Sequence, residues 1–224
     1  MKLSVIIPVY NEHQTIREVI DKVQSVDLEK EIIVVDDGST DGTADLLDGH
    51  HGSNLQVIHL PVNSGKGSAV REGLRHVQGD VVVIQDADLE LDPEEYHRML
   101  EPIRQGANVV YGSRFKGSPA NMRRGTRLVN RAITHIFNVL FGCQLTDMET
   151  AYKMFRTEVI LATPLTAERF EFEPEVTAKL LRRGEIIVEV PIGYAPRTRD
   201  EGKKIGWRDG LQALLTMLRW RFLA

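Results

Sequence analysis

"VVVIQDADLELDP", residues 81–93, runs through four apolar positions into Asp86, Asp88, Glu90 and Asp92. The apolar run has the β-branched content of a strand buried on both faces. Carboxylates packed directly behind it repel one another unless water solvates them or a cation sits between them. Similar runs recur. "LSVIIPV" (3–9) leads into "YNE", "EIIVVDD" (31–37) into "GSTDGT", "LQVIHL" (55–60) precedes "NSGKGSA", and "ANVVYGSR" (107–114) ends on Arg114. Helical patterns near 13–25, 41–48, 66–77 and from Pro93 onward separate them. Apolar strands alternating with helices predict an α/β fold, a mostly parallel, Rossmann-like sheet flanked by helices. Ligands of such sheets bind beyond the carboxyl ends of the strands, beside a topological switch point. The polar strand ends are therefore expected to gather on one edge and form the site.

Beyond Arg114 the pattern predicts a loop at 115–125, an apolar helix at 126–142, a strand at 151–156, a helix at 173–183 and a strand at 185–192. Leu211, Leu214, Leu215 and Leu218 recur at helical spacing near the end, so the chain reads as one domain over 1–206 with an amphipathic helix over 207–224. A length of 224 residues supports a sizeable core. The net charge of −4 gives no sign of nucleic-acid binding, but it is unevenly spread. Arg114, Lys116, Arg123, Arg124, Arg127 and Arg131 fall in one stretch without an acid. Cys143 is the only cysteine, which excludes an internal disulfide and points to a reducing, cytoplasmic setting. No run reaches the roughly 18 apolar residues that span a bilayer.

Several strand ends carry chemistry. "PVYNE" (8–12) offers an aromatic face, an amide and a carboxylate for a heterocyclic base, or simply a helix cap at Asn11. Asp36 and Asp37 in "VVDDGSTDGT" (34–43) suit base or ribose hydroxyls, or a turn; their place at the shared edge favours the site. "NSGKGSA" (63–69) lacks the earlier glycine of a Walker A loop, so nucleotide hydrolysis is rejected, while Lys66 at a helix start suits a phosphate. In "DADLE" two aspartates can direct oxygen ligands to one point. Mg²⁺ or Mn²⁺ takes few protein carboxylates and completes its shell with water and diphosphate oxygens.

In this order and spacing, "PVYNE", "VVDDGSTDGT", "NSGKGSA", "QDADLELDP" and "VVYGSRF" resemble glycosyltransferase family 2, and within it the polyprenyl-phosphate (dolichyl-phosphate) mannosyl- and glucosyltransferases. The resemblance covers most of residues 3–156. It implies a GT-A fold, a hexosyltransferase using a nucleotide-sugar donor, a divalent metal (Mg²⁺ or Mn²⁺), and inversion at the anomeric carbon. It implies donor contacts from Pro8, Tyr10, Asn11, Glu12, Asp36, Asp37, Lys66, Asp86 and Ala87, and metal contacts from Asp86, Asp88 and Glu90. Glu90 stands where the mannosyltransferases often carry glutamine. "TDMETAYKMF" (146–155) resembles the family's Asp-x-x-Ser-Gly-Phe-Arg element, keeping Asp147 but placing Lys153 where the arginine fork would be. "RDEGKKIG" (199–206) loosely resembles a downstream basic loop and adds Lys203 and Lys204.

A phosphate acceptor, with a second pKa of about 6, needs cations rather than a base. Arg114, Arg127, Arg131, Lys153 and Lys204 are the expected acceptor-phosphate ligands, and Asp88, Arg114 and Asp147 the expected catalytic set. If the acceptor is instead a hydroxyl of a glycan, Asp147 is the candidate base. Helices 126–142 and 207–223 combine apolar faces with basic residues and Trp207 or Trp220. That composition suits an interfacial helix, placing the protein peripherally on the inner face of the membrane or against a membrane partner. Burial against the core or in a homo-oligomer is the competing reading. A nucleotide-sugar pyrophosphorylase would need a glycine-rich loop after the first strand, and "PVYNEHQT" has none. A non-catalytic sugar-nucleotide sensor is the remaining rival, which turnover decides.

Overall fold

The computed structural model describes residues 1–50, 52–117, 122, 124–197 and 207–222. In chain order the strands are β1 (Leu3–Val9), β2 (Lys30–Asp36), β3 (Leu55–His59), β4 (Val81–Ile84), β5 (Val109–Ser113), β6 (Lys153–Arg156) and β7 (Ile187–Pro191). The helices are α1 (Ile16–Ser25), α2 (Thr43–Asp48), α3 (Lys66–Leu74), α4 (Tyr96–Arg104), α5 (Arg124–Phe141), α6 (Thr157–Leu161), α7 (Phe172–Arg182) and α8 (Trp207–Phe222). They surround a single seven-stranded sheet of order β3-β2-β1-β4-β6-β5-β7. All pairings are parallel except those of β6, which runs antiparallel between β4 and β5. The expected parallel sheet is present; the reversed strand is a feature that apolar patterning does not encode.

Val81–Ile84 is buried throughout, as are Val5, Ile6 and Ile7 of β1. Each such side chain contributes about 1.5–3 kcal/mol of burial, which is why these runs occupy the centre. β1 lies between β2 and β4, so the strand order reverses there. The switch point therefore falls where "PVYNE" and "DADLE" emerge side by side.

Local chemistry then shapes that edge. Gln85 is fully buried, accepts the Tyr96 and Tyr152 hydroxyls at 2.8 Å each, and donates to the Asp86 and Leu91 carbonyls. It pins the acidic loop from beneath. Thr15, at the start of α1, donates to the Ala87 carbonyl at 2.7 Å. Leu89 sits at φ 60°, a conformation costly for a branched side chain, and turns the loop sharply between Asp88 and Glu90. Asp92 caps the 3₁₀ turn Pro93–Glu95 through the Glu94 amide at 3.1 Å, so it begins the next helical segment. Gly65 has φ 99°, and a Cβ there would lie 2.5 Å from the Glu168 carbonyl oxygen; only glycine lets the 167–170 segment close over α3.

α5, α7 and α8 form a second layer around Phe137, Met148, Ala178 and Met217. Among the described residues no helix is long and apolar enough to cross a membrane.

Candidate active site

Beyond the ends of β1 and β4 lies a cleft of about 400 Å³. Pro8, Tyr10, Glu12, Asp37, Lys66, Asp86, Ala87, Asp88 and Glu90 line it, and so do Asn63, Arg169, Phe170 and Arg197 from elsewhere in the chain. Most of the expected donor residues are thus brought together. Asn11 and Asp36 are not among the lining residues. Asn11 Oδ1 accepts the Thr40 amide at 2.8 Å, which stitches two loops. Asp36 is buried and accepts the Ser39 amide at 3.1 Å and pairs with His59 at 2.9 Å, a contact that raises the affinity of His59 for its proton. Asp37 reaches the cleft but accepts from Asn63 (3.0 Å), the Ser64 amide (2.8 Å) and the Gly65 amide (2.7 Å). Its first duty is to hold the turn before α3.

The electrostatics of the cleft are uneven. Lys66 Nζ meets Asp86 Oδ1 at 2.7 Å and Glu173 Oε1 at 3.1 Å. Burial works against its charge, but the two carboxylates overcome this and hold the ammonium above its ordinary range. Arg197 pairs with Glu12 at 2.8 and 3.0 Å and with Asp88 at 3.3 Å, while its backbone amide donates to Glu90 Oε1 at 2.8 Å. The Tyr194 hydroxyl donates to Glu90 Oε2 at 2.9 Å. Even so, burial, reinforced by the charges of Asp86 and Glu90, pushes Asp88 up to about 7 against the opposing pull of Arg197.

Among the described residues no three His, Cys, Asp or Glu side chains stand close enough to form a ready metal site. Asp86 faces Lys66, and Glu90 is engaged by Tyr194 and the Arg197 backbone. The expected trio is therefore not assembled among the described residues, and each of Asp86 and Glu90 is engaged by a protein partner. The oxygen donors nevertheless suit Mg²⁺ or Mn²⁺. A guanidinium already stands among these acids, and Asp88 still lacks compensating charge, so the residues present fit a divalent cation held by Asp86 and Asp88.

On the other side of the sheet edge, Arg114 follows β5. Its Nε and Nη2 donate to the two Asp147 oxygens at 2.7 Å each, and its amide donates to Asp147 at 3.0 Å. Asp147 is fully buried. Both oxygens of the expected base, Asp147, are thus engaged by the Arg114 guanidinium, which they hold in place. The guanidinium also stacks 5.2 Å from the centre of the Tyr194 ring, so Tyr194 joins the two halves of the site.

Lys153 is fully buried, 2.5 Å from Glu173 Oε2, and donates to the Met148 and Thr150 carbonyls. Burial lowers its pKa despite Glu173. Its ammonium is held by these protein groups inside the core. Arg131 is exposed and lies 5.3 Å from the Phe115 ring centre, while Arg127 Nε is buried without a hydrogen-bond partner. Arg123, Lys203 and Lys204 lie outside the described residues.

Sequence reading missed Arg169, Phe170, Glu173, Tyr194 and Arg197. Glu173 resembled an exposed helical acid in "FEFEPE"; only its approach to two lysines reveals it. Arg197 belongs to none of the quoted motifs, and only its approach to Glu12 and Asp88 reveals it.

A mostly parallel α/β sheet with an acidic cleft at the β1–β4 switch point defines a GT-A-type sugar transferase. Residues 4–162 match the family described as glycosyl transferase family 2, and the chain belongs to it. It is a sugar-transferring enzyme. The chain is similar to an undecaprenyl-phosphate mannosyltransferase from Micrococcus luteus, with 32% identity over all of this chain and 96% of that protein. It is also similar to an undecaprenyl-phosphate 4-deoxy-4-formamido-L-arabinose transferase from Edwardsiella ictaluri, 33% identical over 96% of this chain but 65% of that protein's length. Among solved structures, glucosyl-3-phosphoglycerate synthase from Mycobacterium tuberculosis, in complex with Mn²⁺, UDP and glucosyl-3-phosphoglycerate, matches with a TM-score of 0.75 and 25% identity. That match covers 100% of this chain and 81% of that one.

Proposed function

We propose that this enzyme transfers a hexose, mannose or glucose, from a GDP- or UDP-sugar to a polyprenyl phosphate, with inversion at the anomeric carbon. The carrying observation is the acidic cleft at the β1–β4 switch point, with Arg114 at the end of β5 joined to it through Tyr194; the relatives named for undecaprenyl-phosphate transfer support the acceptor. Tyr10 and Asp37 face the nucleoside, and Lys66, Asp86 and Asp88 the diphosphate. A divalent cation held by Asp86 and Asp88 would supply charge neutralisation on the departing diphosphate.

The lipid phosphate oxygen attacks the anomeric carbon. The carbon–oxygen bond to the nucleoside diphosphate breaks as the new carbon–oxygen bond to the lipid phosphate forms. The acceptor is already ionised, so no side chain removes a proton. Arg114, oriented by Asp147, steers the incoming phosphate with Arg127 and Arg131. The hydroxyl-acceptor reading is disfavoured because Asp147 is committed to Arg114.

Leu128, Val129, Ile136 and Val139 lie exposed on α5, and Leu215, Leu218 and Phe222 on α8. Arg124 and Arg131 flank the first set, Arg219 and Arg221 the second. This suits peripheral attachment to an anionic membrane, on its cytoplasmic face, where the lipid phosphate is presented. The test is a panel of GDP- and UDP-sugars with a short polyprenyl phosphate and Mg²⁺ or Mn²⁺, following lipid-linked product. Transfer to a soluble glycan hydroxyl, with none to polyprenyl phosphate, would overturn the proposal.

A further inference from the structure

The acidic cleft is continuous with a buried row of alternating charge, one member of which, Glu173, belongs to no strand-end motif. Asp86 follows β4, Lys66 begins α3, Glu173 lies in the first turn of α7, and Lys153 begins β6. The distances along the row are 2.7 Å from Asp86 to Lys66, 3.1 Å from Lys66 to Glu173, and 2.5 Å from Glu173 to Lys153. Glu173 is buried, and Lys153 is sealed completely.

We infer that Glu173 is a positioning residue for sugar transfer: by gripping Lys66 from behind, it fixes the ammonium and the Asp86 carboxylate at the donor cleft. A lysine at the end of four rotatable bonds is a poorly directed charge when it meets a single partner. A second anion on the opposite side removes that freedom. Glu173 is suited to the task because its other oxygen is paired with Lys153, which also donates to the Met148 and Thr150 carbonyls and lies over the Tyr111 ring. Its place at the start of α7 adds the favourable field of the helix N-terminus. The two lysines outweigh burial and keep the carboxyl below its ordinary range, so Glu173 remains an anion. The donor loop after β4 is thereby tied to β6 and α7, on the acceptor side of the sheet.

This inference rests on the proposed use of a nucleotide-sugar donor, and its test separates the two. Glu173→Gln alone would strand the buried Lys153, so the informative variant is Glu173→Gln/Lys153→Met, which removes both charges together. Its melting temperature should stay close to that of the parent. In calorimetric titrations with UDP and with GDP, each in the presence of Mn²⁺, its affinity for the nucleotide the parent binds should fall about 10- to 100-fold, as for a lost charge-assisted hydrogen-bond network. The KM for donor should rise with it, while that for acceptor stays unchanged. Lys153→Met alone releases one Glu173 oxygen but leaves the other on Lys66, so nucleotide affinity should fall clearly less than in the double variant, by no more than about threefold.

Parent-like binding by the folded double variant would overturn the inference, as would an equal loss in Lys153→Met alone. If the double variant does not fold, Glu173→Asp keeps the charge but shortens the reach, and unchanged nucleotide binding there would overturn it equally. A parent protein that binds nucleotide yet glycosylates no polyprenyl phosphate refutes the function reading and leaves the Glu173 result standing.

Discussion

The donor and acceptor edges of this site each set a long cation against acids, with opposite outcomes. At the donor edge Glu12, Asp86, Asp88 and Glu90 share Lys66 and Arg197, and Asp88 is still pushed up to about 7. At the acceptor edge Arg114 meets Asp147 through two donors, and Glu189 secures the Thr146 and Asp147 amides at 2.8 and 3.0 Å. One edge is left wanting positive charge; the other is neutralised and fixed in advance. The first is short of positive charge, which suits a bound cation; the second fixes the direction in which Arg114 would meet the proposed acceptor phosphate.

The largest effect should come from the undercompensated edge. Asp88→Asn should lower turnover at least about 1,000-fold, in line with losing a preorganised charge at the reacting centre. Folding should survive, because the variant removes a carboxylate that the fold strains to keep ionised. Sugar-transfer assays with thermal melts check both halves. Near-parental activity in Asp88→Asn, or in excess EDTA, would dissolve the contrast between the edges.

The acceptor edge should fail in the reverse manner, through stability first. Arg114→Ala leaves Asp147 buried without its partner, a situation that costs about 3–5 kcal/mol. At this chain length the melting temperature should drop by roughly 10 °C. Asp147→Asn instead removes the buried charge and should keep turnover with a phosphate acceptor within about tenfold, since no proton is abstracted. A collapse in kcat for Asp147→Asn, with KM unchanged, would restore Asp147 as a base.

The same division explains what could be read in the sequence. The donor edge comes from short segments that each end a strand, so Pro8, Tyr10, Lys66, Asp86 and Asp88 announce themselves in local motifs. Asp36 resembled a ligand because two adjacent aspartates alternate across a strand end; one faces the cleft and the other turns to His59. The acceptor edge depends on contacts over long sequence distances. Lys153 looked like a phosphate ligand because its charge was visible and its burial was not. Arg197 reaches Glu12 across the full width of the chain, a pairing that no spacing encodes. The antiparallel insertion of β6 was hidden because a four-residue strand, Lys-Met-Phe-Arg, has no direction in its pattern.

A smaller effect concerns how the acceptor edge meets lipid. Leu128 and Val139 are each 71% exposed on α5, so charging them should leave the fold unharmed. Leu128→Glu/Val139→Glu should weaken flotation with anionic vesicles about tenfold, since apolar area is lost and negative charge faces negative lipid. Activity on a water-soluble short-chain acceptor should not change. Equal flotation would move the membrane contact off α5.

Glu149 feels both edges and gives the finest test of the contrast. Its Oε1 is buried without a hydrogen-bond partner. Burial, and then the charge of Glu173, push its carboxyl up to about 7, while Lys153 and Arg114 pull the other way. Those two cations are already spent, on Glu173 and Asp147 respectively. The folded state therefore holds this proton more tightly than the unfolded chain, whose glutamates titrate near 4.3. The resulting stabilisation is fully present below about pH 4.3 and is lost as the pH rises through about 7. Glu149→Gln mimics the protonated form at every pH. Its stability should match the parent near pH 4 and exceed it by about 1 kcal/mol at pH 8, after allowance for solvent screening of a partly exposed side chain. Denaturant melts at the two pH values measure the difference. A variant less stable than the parent at pH 8 would mean that Arg114 or Lys153 has charge to spare for Glu149, and that the acceptor edge is less completely neutralised than its hydrogen bonds imply.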